Sequence, residues 1–290
     1  MTLIEPIIYG ILLGGLFTLV SVGFSLSWGV LDIIDLSHGV QIIFGSYVSY
    51  WLYTLYGLNY WLTVPIAFGS MFVLSYVYQR ALLQRFVDRG QLIYIFVVTF
   101  GISISVEALM DIFWTPNYRS ITLDYPTLLV AGVSVPSLRI IAFVVSLVLT
   151  GVLVYILKYT RMGYAIRAIR DDEKSARLMG VDTARTYAVT MALKGGLAAV
   201  GGSLILTLQP VSPLSQFRWM VFAFIVVVIG GLGSIAGAFA GGILLGVVIS
   251  LVGTYASQGV ADVVAFTILA IFLFVRPTGL FGLEEGDVHA

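Results

Sequence analysis

Cysteine is missing altogether from the 290 residues, which excludes disulfides, thiolate metal sites and thiol nucleophiles at once. Charge is scarce as well. Asp, Glu, Lys and Arg make up 10% of the chain, against about 25% in an ordinary soluble domain. No G-x-S-x-G elbow, H-E-x-x-H pair or G-x-x-x-x-G-K-[ST] phosphate loop occurs, so the sequence offers no catalytic residue and no P-loop ATPase site of its own. Histidine is nearly absent too, and one of the two, His289, sits in the polar tail. No metal site is expected.

What the chain has instead is apolar length. Hydrophobic residues account for 59% of it, and the stretches 6–31, 36–79, 140–157, 195–217 and 219–261 contain no Asp, Glu, Lys or Arg. A bilayer core of about 30 Å needs roughly 20 apolar helical residues, so the two longest stretches must each cross or enter it twice. Barrel strands would alternate lipid-facing with lumen-facing residues, and these runs are continuously apolar. The fold class is therefore all-α: a polytopic helical bundle of about eight to nine membrane segments, read as one transmembrane domain over residues 1–290. The first segment lacks a basic leader and a small-residue cleavage site, and reads as a helix that stays in the membrane.

Formal net charge is zero, but the cations cluster. Arg80, Arg85 and Arg89 form one group; Lys158, Arg161, Arg167, Arg170, Lys174, Arg177 and Arg185 form another. The positive-inside rule places both in the cytoplasm. Helices over about 92–113 and 138–157 then connect them through an outer loop, about 114–138. A short outer turn is expected near 57–60 and another at 209–213, where Pro210 and Pro213 cannot continue a helix. The run Gly230-Gly231-Leu232-Gly233-Ser234 fits a cytoplasmic turn or a break within the bilayer.

Three groups of residues are candidates for function. The string Asp32-Ile33-Ile34-Asp35-Leu36-Ser37-His38-Gly39 sets two carboxylates, a hydroxyl and an imidazole between very apolar segments. It reads either as an interfacial turn with Asp35 or Ser37 capping the next helix, or as a broken helix whose free amide groups line an aqueous path. Isolated ionisable residues form the second group: Glu107, Asp111 and Lys194. Charge at depth is costly and generally faces a cavity or a partner. For Lys194, about two turns into its helix, snorkelling to the cytoplasmic interface is the simpler expectation. Glu107, the deepest, either lines a path or pairs structurally. Glycines are the third group. Gly230, Gly231, Gly233, Gly237 and Gly241 include G-x-x-x-G steps that allow close helix packing.

The polar loop, about 158–187, is too long for a turn and too charged for the bilayer. It reads as two short helices, 163–169 and one capped by Asp171 or Asp172 and ended by Gly180. Ile166 with Ile169 and Ala176 with Met179 fall at helical spacing. A solvated basic loop accounts for the charges; an amphipathic helix presented to a cytoplasmic partner accounts for the charges and the spacing.

Taken in order, the 32–39 string, Tyr159-Thr160-Arg161-Met162-Gly163 with Ala168, Leu178-Met179-Gly180-Val181 and Thr183, the run 230–238, and Pro277-Thr278-Gly279 resemble the permeases of bacterial and archaeal branched-chain amino acid ABC importers, the LivH type. The resemblance runs over nearly the whole chain. It implies a multi-pass subunit of the cell inner membrane, contacting lipid and no nucleic acid. It also implies a second, LivM-like permease, two ATPase subunits that use ATP and Mg while this chain binds no cofactor, and an extracytoplasmic substrate-binding protein. Arg161, Gly163, Ile166, Ala168, Ile169, Ala176, Met179 and Gly180 would then belong to coupling helices. Asp32, Asp35, Ser37, His38, Gly39, Glu107 and Lys194 would belong to the translocation pathway.

The chain departs from the family pattern at three places. Val40 and Gln41 stand where Glu often follows His-Gly, Asp32 and Asp35 replace residues usually uncharged, and Lys194 replaces a small residue. Amino acids are the favoured solutes. A sugar, urea, an amide or a small organic acid are the alternatives, and a secondary transporter is the alternative of a different class.

Overall fold

The computed structural model describes residues 3–31, 33–87, 92–130, 132–276 and 278–281. Asp32, Arg89, Pro277 and His289 lie outside the described residues. Long helices dominate: α1 (Ile4–Leu31), α2 (His38–Tyr56), α3 (Tyr60–Tyr78), α5 (Leu92–Trp114), α6 (Ser137–Tyr159), α9 (Thr183–Leu208), α10 (Gln216–Gly230), α11 (Ile235–Tyr255) and α12 (Gln258–Val275). The described residues also form short α-helices α4 (Gln84–Val87), α7 (Arg161–Asp171) and α8 (Glu173–Leu178) and a β-hairpin, β1 (Thr127–Val130) and β2 (Val133–Pro136). Among the described residues, eight helical segments are long and apolar enough to cross a membrane. α2 has the length but carries His38, Gln41, two serines and four tyrosines, and is not among those eight. The expected eight or nine segments and all-α class agree with this architecture, and the chain is a multi-pass membrane protein.

The chain divides into two compact units. One comprises residues 26–121 and 151–220. Its axis is α9, whose apolar window is 89% buried, the most enclosed of the eight. Small residues let neighbours approach its backbone. A Cβ on Gly202 would strike the Ile42 carbonyl, one on Gly195 the Ser75 hydroxyl, and one on Gly45 of α2 the Ala199 backbone. Ser49 and Ser203 share a 2.7 Å hydrogen bond across the same seam. α3 continues through a π-helical turn, Gln79–Leu83, into α4. Gly57, left-handed at φ 63°, ends α2, and Asn59 caps α3 by accepting from Trp61 N at 3.0 Å, so the expected turn is two caps back to back.

The other unit comprises residues up to Ser25, 122–150 and 221 onward. Here the first part of α1 lies antiparallel to α11: Gly10 meets Val247, Gly14 meets Ile243, and Thr18 donates to the Phe239 carbonyl at 3.5 Å. α11 meets α10 on another side, where Gly237 abuts Gly230 and a Cβ on Gly241 would lie 2.6 Å from the Val226 carbonyl. Gly231 and Gly233 are left-handed and form the reversal between α10 and α11, with Ser234 capping α11. Leu280 and Phe281 donate to the Ile229 and Gly230 carbonyls, tying the chain beyond α12 onto that reversal. Two folded-back helices thus stand where the sequence allowed a turn or a break. The glycines divide by job, 230, 237 and 241 in close contact and 231 and 233 in the turn.

Candidate functional site

Between α1 and α2 the backbone leaves the helix at residues 33–37, and this break is internal: Ile33, Asp35 and Ser37 are buried. Asp35 is fully buried and forms an ion pair with Lys194, also fully buried. Lys194 stands eleven residues after the start of α9 and fourteen before its end, about 16 Å and 21 Å along the axis. It therefore does not snorkel, as the sequence led us to expect. α9 begins four residues earlier than anticipated, which sinks Lys194 by another turn, and a carboxylate is waiting there.

Asp35 organises its surroundings. Its Oδ1 accepts from Ser37 N at 2.9 Å and from Ser37 Oγ at 2.6 Å. Its Oδ2 accepts from Lys194 and, at 3.4 Å, from Gln41 Nε2, which also donates to Ser37 Oγ at 3.1 Å. Ser37 Oγ lies 3.4 Å from the Tyr78 hydroxyl. Ser37 occupies the N-cap position of α2 but its side chain makes no cap bond; it serves Asp35 instead. Charges removed from water persist where opposite charge and hydrogen bonds surround them, and this carboxylate has both.

Beside this cluster, within the same unit, lies a pocket of about 240 Å³. Val40, Phe44, Met71, Leu74, Ile102 and Val106 supply apolar walls; Ser37, Gln41, Ser75 and Tyr78 gather its polar groups. One turn further along α2, Tyr47 stacks on Trp114 with ring centroids 5.1 Å apart, and Phe44 tilts against the same indole at 5.7 Å. Trp114 ends α5, and Thr115 after it is left-handed at φ 65°, a conformation costing a non-glycine residue about 1–3 kcal/mol. Arg119 lies over the rings of Tyr50 and Trp51, and its backbone pairs with Val211. An aromatic layer thus continues along α2 from Phe44 of the pocket wall.

The remaining sequence candidates fall around this centre. His38, the first residue of α2, is fully buried and its N–H donates to the Asp35 carbonyl at 3.3 Å. Gly39 admits the Gln216 backbone where a Cβ could not fit. Glu107 is half-buried and accepts from Gln216 Nε2 at 2.8 Å, while Gln216 accepts from Ser103 at 3.1 Å. It joins this polar relay rather than the pocket wall, although the neighbouring Val106 lines the pocket. Sequence reasoning missed Ser75 and Tyr78, which repeat at helical spacing on α3 opposite Ser37 and Gln41 at helical spacing on α2. That pairing of polar stripes was the available signal.

The polar loop folds as two helices, as expected, with α7 two residues longer at each end. Thr160 caps α7 by accepting from Gly163 N at 3.2 Å, and Asp172 caps α8 by accepting from Lys174 N at 2.9 Å and Ser175 Oγ at 2.6 Å. Those bonds, led by the Ser175 hydroxyl, hold the Asp172 carboxyl below its ordinary pKa. The expected faces need correction. Ile166, Ile169 and Ala176 are each under 5% exposed and point into the chain, because their helical stripe packs α7 and α8 back onto the protein. Tyr164, Leu178 and Met179 are the exposed apolar groups, at 60%, 88% and 86%. Ala168 is half-buried, Arg161 exposed, and Gly180 left-handed at φ 87°. Gly163 abuts the Leu157 carbonyl, and the Arg167 guanidinium donates to the Leu157 carbonyl at the end of α6. The loop is pinned to two membrane helices, since Arg177 also donates to Thr183 at the start of α9 at 3.0 Å.

Residues 7–275 match the family described as the branched-chain amino acid transport system permease component. The chain belongs to this family. Among its curated relatives, the Escherichia coli K12 high-affinity branched-chain amino acid transport system permease protein LivH is 30% identical, with 97% of this chain and 96% of that one covered. The corresponding Pseudomonas aeruginosa protein, BraD, is 29% identical over the same shares. A probable LivH from Methanocaldococcus jannaschii is 26% identical over 94% and 91%. As a permease component, the chain is a membrane subunit.

Proposed function

We infer that this permease is the membrane subunit of an ATP-driven importer of branched-chain amino acids, and that its solute path runs through the 26–121 and 151–220 unit. The observation that carries this reading is the pocket itself: apolar walls for an aliphatic side chain beside a buried polar cluster, inside a chain of this family. Separate ATPase subunits supply the energy, a second, related permease completes the path, and an extracytoplasmic binding protein delivers the solute. Residues 1–290 act as one permease domain. α7 and α8 are the lever. Tyr164, Leu178 and Met179, flanked by Arg161, Arg170 and Lys174, meet an ATPase subunit, while Gly163 and Arg167 pass its movement to α6.

The test is leucine accumulation in proteoliposomes containing the complete complex. Uptake is expected only with hydrolysable ATP on the ATPase side. Flux through this chain alone, without any ATPase, would instead establish a secondary transporter.

Sidedness is open to a second check, helped by the lack of cysteine. With the basic loop inside, and α2 counted as a ninth membrane segment beside the eight, alternation puts the N-terminus and the β1–β2 hairpin outside. Leu129 and Leu178 are 78% and 88% exposed. A membrane-impermeant maleimide is expected to label Leu129→Cys in intact cells and Leu178→Cys only after permeabilisation; the reverse pattern would invert the topology.

A further inference from the structure

Away from the pocket, at the outer end of α5, two opposite charges flank the same tyrosine and do not pair with each other. Asp111, on the last turn of α5, is half-buried, and its Oδ1 is a buried acceptor with no hydrogen-bond partner among the described residues. Arg119 is half-buried too, and its Nε is a buried donor in the same condition. Its guanidinium lies over the rings of Tyr50 and Trp51, 5.5 and 5.7 Å from their centroids. The two terminal nitrogens donate at 3.4 Å, near the limit of a hydrogen bond, to the Tyr50 hydroxyl and to Thr115 Oγ1. Tyr47 links the two charges. Trp114, one turn beyond Asp111 on α5, stacks on the Tyr47 ring, and Tyr50 and Trp51 are the next turn of α2. Both charges are within electrostatic reach of the Tyr47 hydroxyl.

The backbone between these charges is strained. Thr115 is left-handed at φ 65°; its N–H donates to the Asp111 carbonyl at 3.0 Å, and beyond it Arg119 and Val211 exchange two backbone bonds of 2.8 Å. Such a conformation persists in a non-glycine residue only where the surroundings hold it, and it concentrates in switch segments. Partly desolvated charges without a counter-charge are costly as well. Pairing Asp111 with Arg119 relieves that cost, and relaxation of Thr115 is the backbone movement that permits it.

We propose that Asp111 and Arg119 are the two halves of an outer latch whose ion pair is broken in this structure and made in the other access state. Here Arg119 rests on Tyr50 and Trp51 and ties the outer loop to α2. In the other state Thr115 relaxes, the guanidinium crosses to the Asp111 carboxylate, and the loop is tied to α5 instead. The Tyr47–Trp114 contact, which joins α2 to α5 beside the latch, loosens with the exchange. Neither charge touches the solute in this role; the pair sets the populations of two arrangements. Its gating role presupposes the importer reading.

The experiment has two arms, both in the reconstituted complex. In the first, Asp111→Cys with Arg119→Cys is treated with a short bis-methanethiosulfonate, a clean reaction because the chain has no other cysteine. Cross-linking is expected to differ about tenfold in rate between the nucleotide-free and the vanadate-trapped complex. In the second, Thr115→Gly removes the strain from the present arrangement and so favours it about tenfold. This variant is expected to keep a thermal midpoint no lower than wild type and yet to lose most leucine uptake. A turn with only a structural role would give the same midpoint and full uptake. Equal cross-linking in the two states, or wild-type uptake by Thr115→Gly, would overturn the latch. The importer reading fails separately: uptake by the wild type without ATP defeats that reading, while Thr115→Gly still tests the latch through its loss of uptake.

Discussion

Lys194→Met is expected to destabilise the permease by about 3–5 kcal/mol, the cost of leaving one member of a buried ion pair without its partner. Asp35 has no water to turn to: its side chain is fully buried, and its other partners, Ser37 and Gln41, are neutral. Asp35→Asn is expected to be harmful for the mirror-image reason, with the further loss of the acceptor that orients Ser37 and Gln41. The double variant Asp35→Asn with Lys194→Met should recover most of the stability, because exchanging both charges for neutral groups of similar volume is often neutral or better. Thermal unfolding in detergent measures all three. Recovery in the double variant identifies a coupled pair; additive losses would mean that each residue acts through other contacts. Transport need not recover with stability, since Gln41 depends on the charged acceptor.

The second large effect is expected at the lever. Gly163→Ala places a methyl group against the Leu157 carbonyl and within 2.6 Å of the Ile156 oxygen. Both are backbone atoms of α6 and neither can rotate away, so α7 must lift from the end of α6. The Arg167 bond to the Leu157 carbonyl would stretch with it. Because α9 and its seam with α2 and α3 are untouched, the thermal midpoint should barely move while leucine-stimulated ATP hydrolysis and uptake fall roughly tenfold, within the 1–3 kcal/mol typical of coupling between sites. Full coupling in this variant would remove α7 from the transmission path. An unfolded protein would show that Gly163 supports the bundle itself.

The contrast between the two sites shows how far residues alone could be read. Run lengths and the two basic clusters give the helical membrane class, because the bilayer imposes a length and the positive-inside bias a direction. The caps were legible as well, one of the pair Asp171 and Asp172 at α8 and Gly180 after it, since they depend on a few adjacent residues; the structure selects Asp172. Pairings between distant segments were not. Asp35 and Lys194 are 159 residues apart, and nothing local to either says that a departure at one answers a departure at the other. The faces of α7 and α8 failed for a related reason. An apolar stripe at helical spacing says that one side is covered, and only the fold says whether the cover is the chain itself or a partner. In this chain Ile166, Ile169 and Ala176 are covered by the chain, and the exposed apolar groups are Tyr164, Leu178 and Met179.

The most direct test of the proposed path uses the absence of cysteine once more. Val40 lines the pocket and is 96% buried, and a cysteine there is smaller than the residue it replaces. In the reconstituted complex, Val40→Cys is expected to transport leucine until a small thiol reagent reacts with it, then to lose uptake, with excess leucine slowing the reaction. Stoichiometric modification that leaves ATP-driven leucine uptake intact would contradict a path through this pocket.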